Sequence, residues 1–527
     1  IVFGDWSSDV CSSDLPSSSV NMHRPNLLKR SLLATAAVGA LTLLSAAAEA
    51  DPEGPAAGAA ESRRITLGDA ILMALENNRS IAVERLTTPI RQTAEAVEEA
   101  AFDPTLRAGT SVGREHTQGS TKPFRETVIA DVDASVGLTQ SLPSGTSVDA
   151  GVRGSIRSVR PSGSNAALDA GVTVTQALLR GGSRDANLAR LQAARVGTAM
   201  SEYELRGVIE AVVADVEHTY WTLALADQRI GIYRESLRLA EQQLRETRDR
   251  VTVGTLAETE LAAAQAEVAS RREGLITAET TREVSRLRLL RLLNAVADGL
   301  WDLPLEPSDQ PEAPAPELDD VATHVALALR LRPDLNQARL QIELQDLEVV
   351  QTRNGLLPRL NVFVELGRTT YAESFGKVLE RQDEDTYRIA AGMLLELPLG
   401  NRAAEARYRR AGLSRQQAEA AVGNLAQLIE LDVRTAYVEV RQAAEQVRAS
   451  TATRLLRQES LRAETEKARV GRSTSILVGQ AQRDLLLSQL GEAQAHVTLR
   501  RAAIGLYLAE GSLLERRGVE APGATPQ

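Results

Sequence analysis

Few residues in this chain of 527 have the types and spacing to do chemistry. Beyond residue 50 the histidines are His116, His218, His324 and His496, and none stands at metal-ligand spacing from another. His218, in Glu217-His218-Thr219-Tyr220, reads as a packing residue between helices rather than a catalytic base. There is no GxSxG elbow, no phosphate-binding P-loop and no dinucleotide fingerprint. Gly181-Gly182, ahead of a helical pattern, could cradle an anion, although a strand-to-helix turn is the plainer reading. No catalytic residue, cofactor or metal is expected. What stands out instead is a pair of interruptions. Arg250-Val251-Thr252-Val253-Gly254-Thr255 and, 217 residues later, Lys467-Ala468-Arg469-Val470-Gly471-Arg472 each break a long run of Ala, Leu, Glu, Gln and Arg. Both read as tips where a long helix folds back on itself, because glycine lets the backbone turn tightly.

The tips are equivalent because the chain is duplicated. At an offset of 254, Ala74-Leu75 meets Ala328-Leu329, Leu86 meets Leu340 and Pro104 meets Pro358. Later the offset is 217: Asp215-Val216 meets Asp432-Val433, Tyr220 meets Tyr437, Val253-Gly254 meets Val470-Gly471, and Ala264-Gln265 meets Ala481-Gln482. The first half therefore carries about 37 extra residues between Pro104 and about Asp185.

Each half predicts the same elements. A short helix (Leu67–Asn77 or Leu318–Leu331) precedes a break at Asn78-Arg79-Ser80 or Arg332-Pro333. A second helix then stops before Pro104 or Pro358. Strands follow, with apolar and polar residues alternating at period two, as in Val128, Ala130, Val132, Ala134, Val136 and Leu138. Four are expected in the first half (about 105–114, 128–142, 146–158 and 165–178) and two in the second, within about 358–399; an extra hairpin accounts for the insertion. Long helices come next, from about Ser183 to Thr252 and from about Arg402 to Arg469, each spanning roughly 100 Å at 1.5 Å per residue. Ile209, Val213, Val216, Tyr220 and Leu223 step by 4, 3, 4 and 3, a coiled-coil seam. The return helices, about Ala257–Leu293 and Thr474–Ala509, are half as long, so the short helices of each half must fill the remaining length beside the long one. The domain plan is residues 66–302 as first repeat with its tip at 252–256, a Pro-rich linker at 303–317, and 318–512 as second repeat with its tip at 469–473. Residues 51–65 and 513–527 are expected to be flexible.

The N-terminus reads as processing rather than fold. Residues 1–21 resemble translated adapter DNA, and from Met22 to Ala50 the chain has the pattern of a signal peptide. Arg24, Lys29 and Arg30 precede an apolar run, and Ala48-Glu49-Ala50 places cleavage before Asp51. The only cysteine, Cys11, is lost with it, which excludes disulfides, thiolate metal sites and N-terminal lipidation. The chain carries 60 basic and 70 acidic residues; without residues 1–50, which hold three and four, the net charge is −9. That balance argues against nucleic acid as a partner. Aromatics at 3% are scarce for one large globular core.

The mature chain has no apolar run of transmembrane-helix length, but its strands reach the length that crosses a bilayer in a barrel. In lipid every backbone polar group must be paired, so only a closed barrel serves. Four or six strands are too few for a wide one, and several chains would have to contribute. Taken together, the leader, the doubled order helix–strands–long helix–tip–helix, and the wording of several landmarks resemble the TolC-type outer-membrane efflux and secretion channels. The landmarks are Leu67-Gly68-Asp69-Ala70, Ala74-Leu75-Glu76-Asn77-Asn78, Phe102-Asp103-Pro104, Thr175-Gln176-Ala177-Leu178-Leu179-Arg180-Gly181-Gly182 and the two Val-Gly tips.

The resemblance implies a mainly α fold with a β portion: an internally duplicated α-helical coiled-coil barrel forming a periplasmic tunnel, plus transmembrane strands shared in a trimeric β-barrel. It implies a homotrimer in the outer membrane of a Gram-negative-type bacterium, surrounded by outer-membrane lipid. Its partners would be a periplasmic membrane-fusion adaptor and an inner-membrane transporter of the RND, ABC or MFS type. Adaptor contacts would fall on Val253, Gly254 and Thr255, and on Val470, Gly471, Arg472 and Ser473. The chain also departs from the family. Two aspartates that guard the tunnel entrance correspond here to Leu477 and Gln480, and the latching arginine to Ser473. The first tip keeps acid at Glu258 and Glu260, so an altered entrance with weaker cation selectivity is expected. The rivals are a periplasmic coiled-coil adaptor without a pore, or a structural coiled coil of the outer membrane.

Overall fold

The computed structural model describes residues 63–118, 126–160, 163–294, 300–312, 314, 316–380 and 386–520. The segment 1–21, the expected leader at 22–50 and the end of the chain from 521 lie outside them. In chain order the elements of the first half are β1 (Arg63–Ile65), α1 (Leu67–Asn77), α2 (Arg79–Glu84), α3 (Thr87–Glu99), β2 (Thr105–Gln118), β3 (Glu126–Ser141), β4 (Thr146–Arg160), β5 (Gly163–Ala177), α4 (Arg184–Thr252) and α5 (Glu258–Leu293). The second half has β6 (Leu305–Pro307), α6 (Val321–Leu331), α7 (Pro333–Gly355), β7 (Arg359–Ala372), α8 (Phe375–Glu380), β8 (Arg388–Glu396), α9 (Arg402–Arg469), α10 (Ser475–Glu510) and α11 (Leu513–Arg516).

Local signals start and stop these elements. Thr66 caps α1 in a reciprocal box, its hydroxyl accepting from Asp69 N–H while Asp69 accepts from Thr66 N–H. Asn78 ends α1 and caps α2 by accepting from Ser80 N–H at 2.9 Å. Pro333 opens α7 in the first turn, where its missing N–H costs nothing. The helix expected to run unbroken to about Phe102 is instead two, α2 and α3, parted at Arg85-Leu86.

Six strands form one antiparallel sheet in the order β2-β3-β4-β5-β7-β8. From it α4 and α9 run away as helices of 69 and 68 residues, roughly 100 Å each. Nearest the sheet, α3, α4, α7 and α9 lie side by side; toward the tips the order is α5, α4, α10, α9. The apolar seam accounts for this packing. Val213, Val216, Tyr220 and Leu223 are fully buried against α1 and α5, in a core that also holds Leu290 and Leu293. The second half repeats it, with Ile429, Val433 and Val440 packed on α6 and α10. Val216 and Val433, Leu223 and Val440, and Leu289 and Leu506 are buried at equivalent positions, as the duplication requires.

The described parts of two segments expected to be flexible, 63–65 and 513–520, are ordered. Arg63–Ile65 pairs in parallel with Leu305–Pro307, inside the Pro-rich linker, and Ile65 and Leu305 are buried. Tyr220 of α4 holds this strip: its hydroxyl donates to Asp309 Oδ2 at 2.7 Å and accepts from Asp309 N–H at 3.2 Å. The C-terminal segment from 513 begins with α11, whose Leu513 and Leu514 are buried. In both places a few apolar side chains and a polar clasp outweigh the entropy of ordering a short segment.

Charges are buried around α11. Arg517 makes a bidentate pair with Glu217 at 2.6 and 2.7 Å, and His324 pairs with Glu510, which also accepts from Ser512 Oγ at 2.7 Å. Arg206 pairs with Glu210 at 3.1 Å and donates to Glu515 and to the Gly511 carbonyl. Burial outweighs the neighbouring guanidinium and pushes the Glu210 carboxyl up to about 7. The folded state therefore holds this proton more tightly than the unfolded chain. The stabilisation is complete below the ordinary value of 4.5 and is lost as pH rises through about 7. Between pH 5 and pH 8 the protein is expected to lose on the order of 3 kcal/mol more stability than Glu210→Gln does. Denaturant unfolding of both at the two pH values measures it; parallel curves would refute it.

Candidate functional site

Both tips are built by the same hydrogen bonds. Gly254 N–H donates to Val251 O at 2.9 Å and Thr255 N–H to Arg250 O at 2.9 Å. At the second tip Gly471 N–H donates to Ala468 O at 3.1 Å and Arg472 N–H to Lys467 O at 2.8 Å. These are Schellman closures, which need a left-handed residue just past the helix end. Gly254 has φ 78° and Gly471 φ 74°, and a Cβ at either would meet nothing within 4 Å. Thr255 tightens its turn through Oγ1, which donates to Arg250 O at 2.9 Å.

The surroundings of the tips are open. Val253 is 77% exposed and Val470 68%. Arg472 is exposed, while the Ser473 hydroxyl turns back to Glu464. That bond and Lys467 at 3.1 Å hold the Glu464 carboxyl below its ordinary range. Thr474 caps α10 by accepting from Leu477 N–H at 3.4 Å, whereas Ala257 offers α5 no side-chain cap. Acidic Glu258 and Glu260 in the first turn of α5 complement its dipole instead.

The expected entrance residues separate into two groups. Glu258 is exposed, as are Leu477, Ile476 and Gln480. Glu260 is half-buried and accepts a hydrogen bond from Ser475 Oγ at 2.5 Å, which ties the start of α5 to the start of α10. A second tie follows along the same helices, Arg483 to Glu267 at 3.0 Å. Between α4, α5 and α10 these ties frame a groove of about 300 Å³. Sequence reasoning missed Ser475 and the Glu267–Arg483 pair. The offset of 217 contained a pointer, since it makes Ser475 the counterpart of Glu258 and Leu477 that of Glu260. The contact across hairpins could not be read from a repeat comparison, which aligns positions and does not dock them.

The far end of the chain has different chemistry. On one face of the six-stranded sheet, Leu106, Leu138, Ala150, Val172, Leu366 and Ile389 stand in one cross-strand row. The next row, on the opposite face, holds Thr105, Thr139, Asp149, Thr173 and Glu365. Most of the apolar row is exposed to the surroundings. Among the described residues no helix is long and apolar enough to cross a membrane. The chain thus has a sheet with one exposed apolar face at one end and two open glycine tips at the other.

Known proteins share this fold. Residues 161–295 and 325–512 match the sequence profile described as outer membrane efflux protein. No curated protein matches the chain. Among solved structures, the CmeC outer membrane channel of Campylobacter jejuni superposes with a TM-score of 0.64 at 16% identity, over 85% of this chain and 86% of that one. The open-state MtrE outer membrane channel of Neisseria gonorrhoeae gives 0.61 at 19% identity, over 85% and 89%. The outer membrane protein VceC of Vibrio cholerae gives 0.61 at 15% identity, over 84% and 96%.

Proposed function

We propose that this chain, which belongs to the outer membrane efflux protein family and is an outer-membrane channel of tripartite efflux, works as a homotrimer that docks its pump partners through the two tips. The observation that carries the trimer is a pair of unsatisfied margins. β2, α3 and α5 lie along one side of the chain, β8 and α9 along the other. Val83, Leu86, Ile90 and Val97 are exposed on the first side, and Leu413, Leu431, Val438 and Leu456 on the long helix of the second. Different patches that complement each other head to tail generate a closed ring. The free edges of β2 and β8 press in the same direction, because unpaired backbone groups cannot be left in lipid. Three copies is the number the family implies.

The tips would then form the inner mouth of the tunnel, two per chain. Exposed Val253 and Val470, beside glycines with open space around them, suit a helical hairpin of a periplasmic adaptor, with Thr255, Arg472 and Ser473 at the rim. An inner-membrane transporter of the RND, ABC or MFS class would supply the energy for moving small molecules or proteins through the pipe. Glu258, Glu260, Leu477 and Gln480 would line the entrance, with acid contributed by the first tip alone. Such a ring attracts cations by its summed field. Glu260→Gln is therefore expected to move the reversal potential of single channels in a salt gradient toward zero. An unchanged potential would assign Glu260 to bracing Ser475 only. Detergent-extracted protein is expected to have the mass of a trimer and to conduct in planar bilayers. A monomer without conductance would favour the adaptor reading.

A further inference from the structure

We propose that the trimer closes on eighteen strands, six from each copy, so that the extra hairpin of the first half is barrel wall rather than an appendage. The inference deepens the trimeric-channel reading and rests on it. By the repeat offsets β2 is the counterpart of β7, and β5 of β8; what the first half adds is β3 and β4. An appended flap would leave the sheet or lose its alternation. These strands do neither. Residues 128–141 of β3 pair without interruption to β4, and 146–159 of β4 to β5. The apolar row from Leu106 to Ile389 crosses all six strands without changing face. Along β3 the apolar set from Val128 to Leu138 rises ~33 Å, which at a tilt of about 40° covers a band ~25 Å tall, the height an outer membrane requires.

The opposite face carries the curvature. Gly137, Gly151, Gly171 and Gly367 stand in one row across four strands, next to the Thr105–Glu365 row on the polar face. A Cβ at Gly151 would lie 3.2 Å from Val136 O, at Gly171 3.1 Å from Leu366 O, and at Gly367 3.3 Å from Ala170 O. A side chain at these three positions would fit only tightly, as at the glycine kinks by which a sheet coils into a barrel. The row also leaves the lumen side bare at that level. It is flanked by Arg107 on β2 and Arg388 on β8.

Closure on eighteen is geometrically consistent. With an even number of strands per copy, β8 of one chain meets β2 of the next antiparallel, like every other pair in the sheet. Strands ~4.8 Å apart and tilted about 40° give a circumference of ~113 Å for eighteen and ~75 Å for twelve. Four helices per copy beneath the sheet make a ring of twelve, which at 8–10 Å between axes measures roughly 95–120 Å around. At that tilt eighteen strands continue the tunnel into the membrane at nearly constant girth. The backbone diameter would be ~36 Å, in the range of barrels that hold an open aqueous channel. The outer mouth would then set no size limit on drug-sized or chain-like cargo, and selection would fall to the tips and the pump.

The test uses single cysteines in the full chain with Cys11→Ser: Val136→Cys and Val152→Cys on the apolar face, Ser135→Cys and Ser155→Cys on the polar face. Each trimer is reconstituted in phosphatidylethanolamine–phosphatidylglycerol vesicles and treated with a membrane-impermeant maleimide. Ser135→Cys and Ser155→Cys are expected to label, and the two valine variants to be protected until detergent is added. Equal labelling of all four in a particle of trimeric mass overturns the eighteen-strand wall and leaves the trimeric channel standing. A mass other than a trimer overturns both.

Discussion

Arginine in place of Gly254 or Gly471 is expected to abolish export while leaving the trimer folded and in the membrane. Both glycines hold left-handed backbone at φ 78° and 74°, and a residue with a Cβ there costs roughly 1–2 kcal/mol. That cost falls on exposed turns that bury almost nothing, against a typical total stability of about 5–15 kcal/mol. The chain should therefore fold. The partner surface, however, would gain a long cationic side chain where the backbone is now bare. Gly254→Ala and Gly471→Ala are the controls, since they carry the same backbone strain and add one methyl into open space. Trimer mass by native mass spectrometry and drug resistance of cells holding the cognate pump separate the two effects. Normal resistance in the arginine variants, or equal loss in the alanine variants, would remove the tips from docking.

Ending the chain after Ser512 is expected to prevent stable folding. Leu513 and Leu514 are 0% and 1% exposed, and truncating a buried leucine costs about 2–5 kcal/mol. The same cut strips Arg517 from the fully buried Glu217 and Glu515 from the buried Arg206. Arg206 keeps Glu210, but Glu217 loses its charged partner, and an uncompensated buried charge costs about 3–5 kcal/mol. The terms are not additive, yet any two of them rival the stability of an ordinary domain. Leu514→Ala and Arg517→Ala should each fold with reduced denaturation midpoints. A truncated chain as stable as the full one would show that the segment is a tail after all.

That second expectation exists only because the structure corrected the sequence. Residues 513–527 are expected from the sequence to be a flexible tail, and Glu515-Arg516-Arg517-Gly518 is a charged run with no periodicity to say otherwise. The order of residues 513–520 comes from Glu217 and Arg206, some three hundred residues away, and no local window contains them. The strip Arg63–Ile65 is a similar case, because its partner strand lies in a segment marked mainly by prolines. Elsewhere the local signals sufficed. Period-two alternation identified six strands, and the 4-3-4-3 spacing of Ile209 to Leu223 marked the seam that the cores bury. Asn78, Pro333 and the tip glycines punctuate the helices for reasons of backbone chemistry alone.

By itself the sequence determined the mainly α fold class and the internal duplication, because each rests on periodicity or repetition that short-range physics enforces; the family followed from the resemblance of its landmark motifs. Tertiary structure alone decided what touches what. It joined Glu260 to Ser475 across two hairpins, tied the α11 segment to the middle of α4, and placed β3 and β4 in the same sheet as the other four strands. Pairing between distant segments depends on shape, register and buried charge together. An alternating pattern specifies that a strand has an apolar face, but only its neighbours' hydrogen bonds specify which wall that face completes.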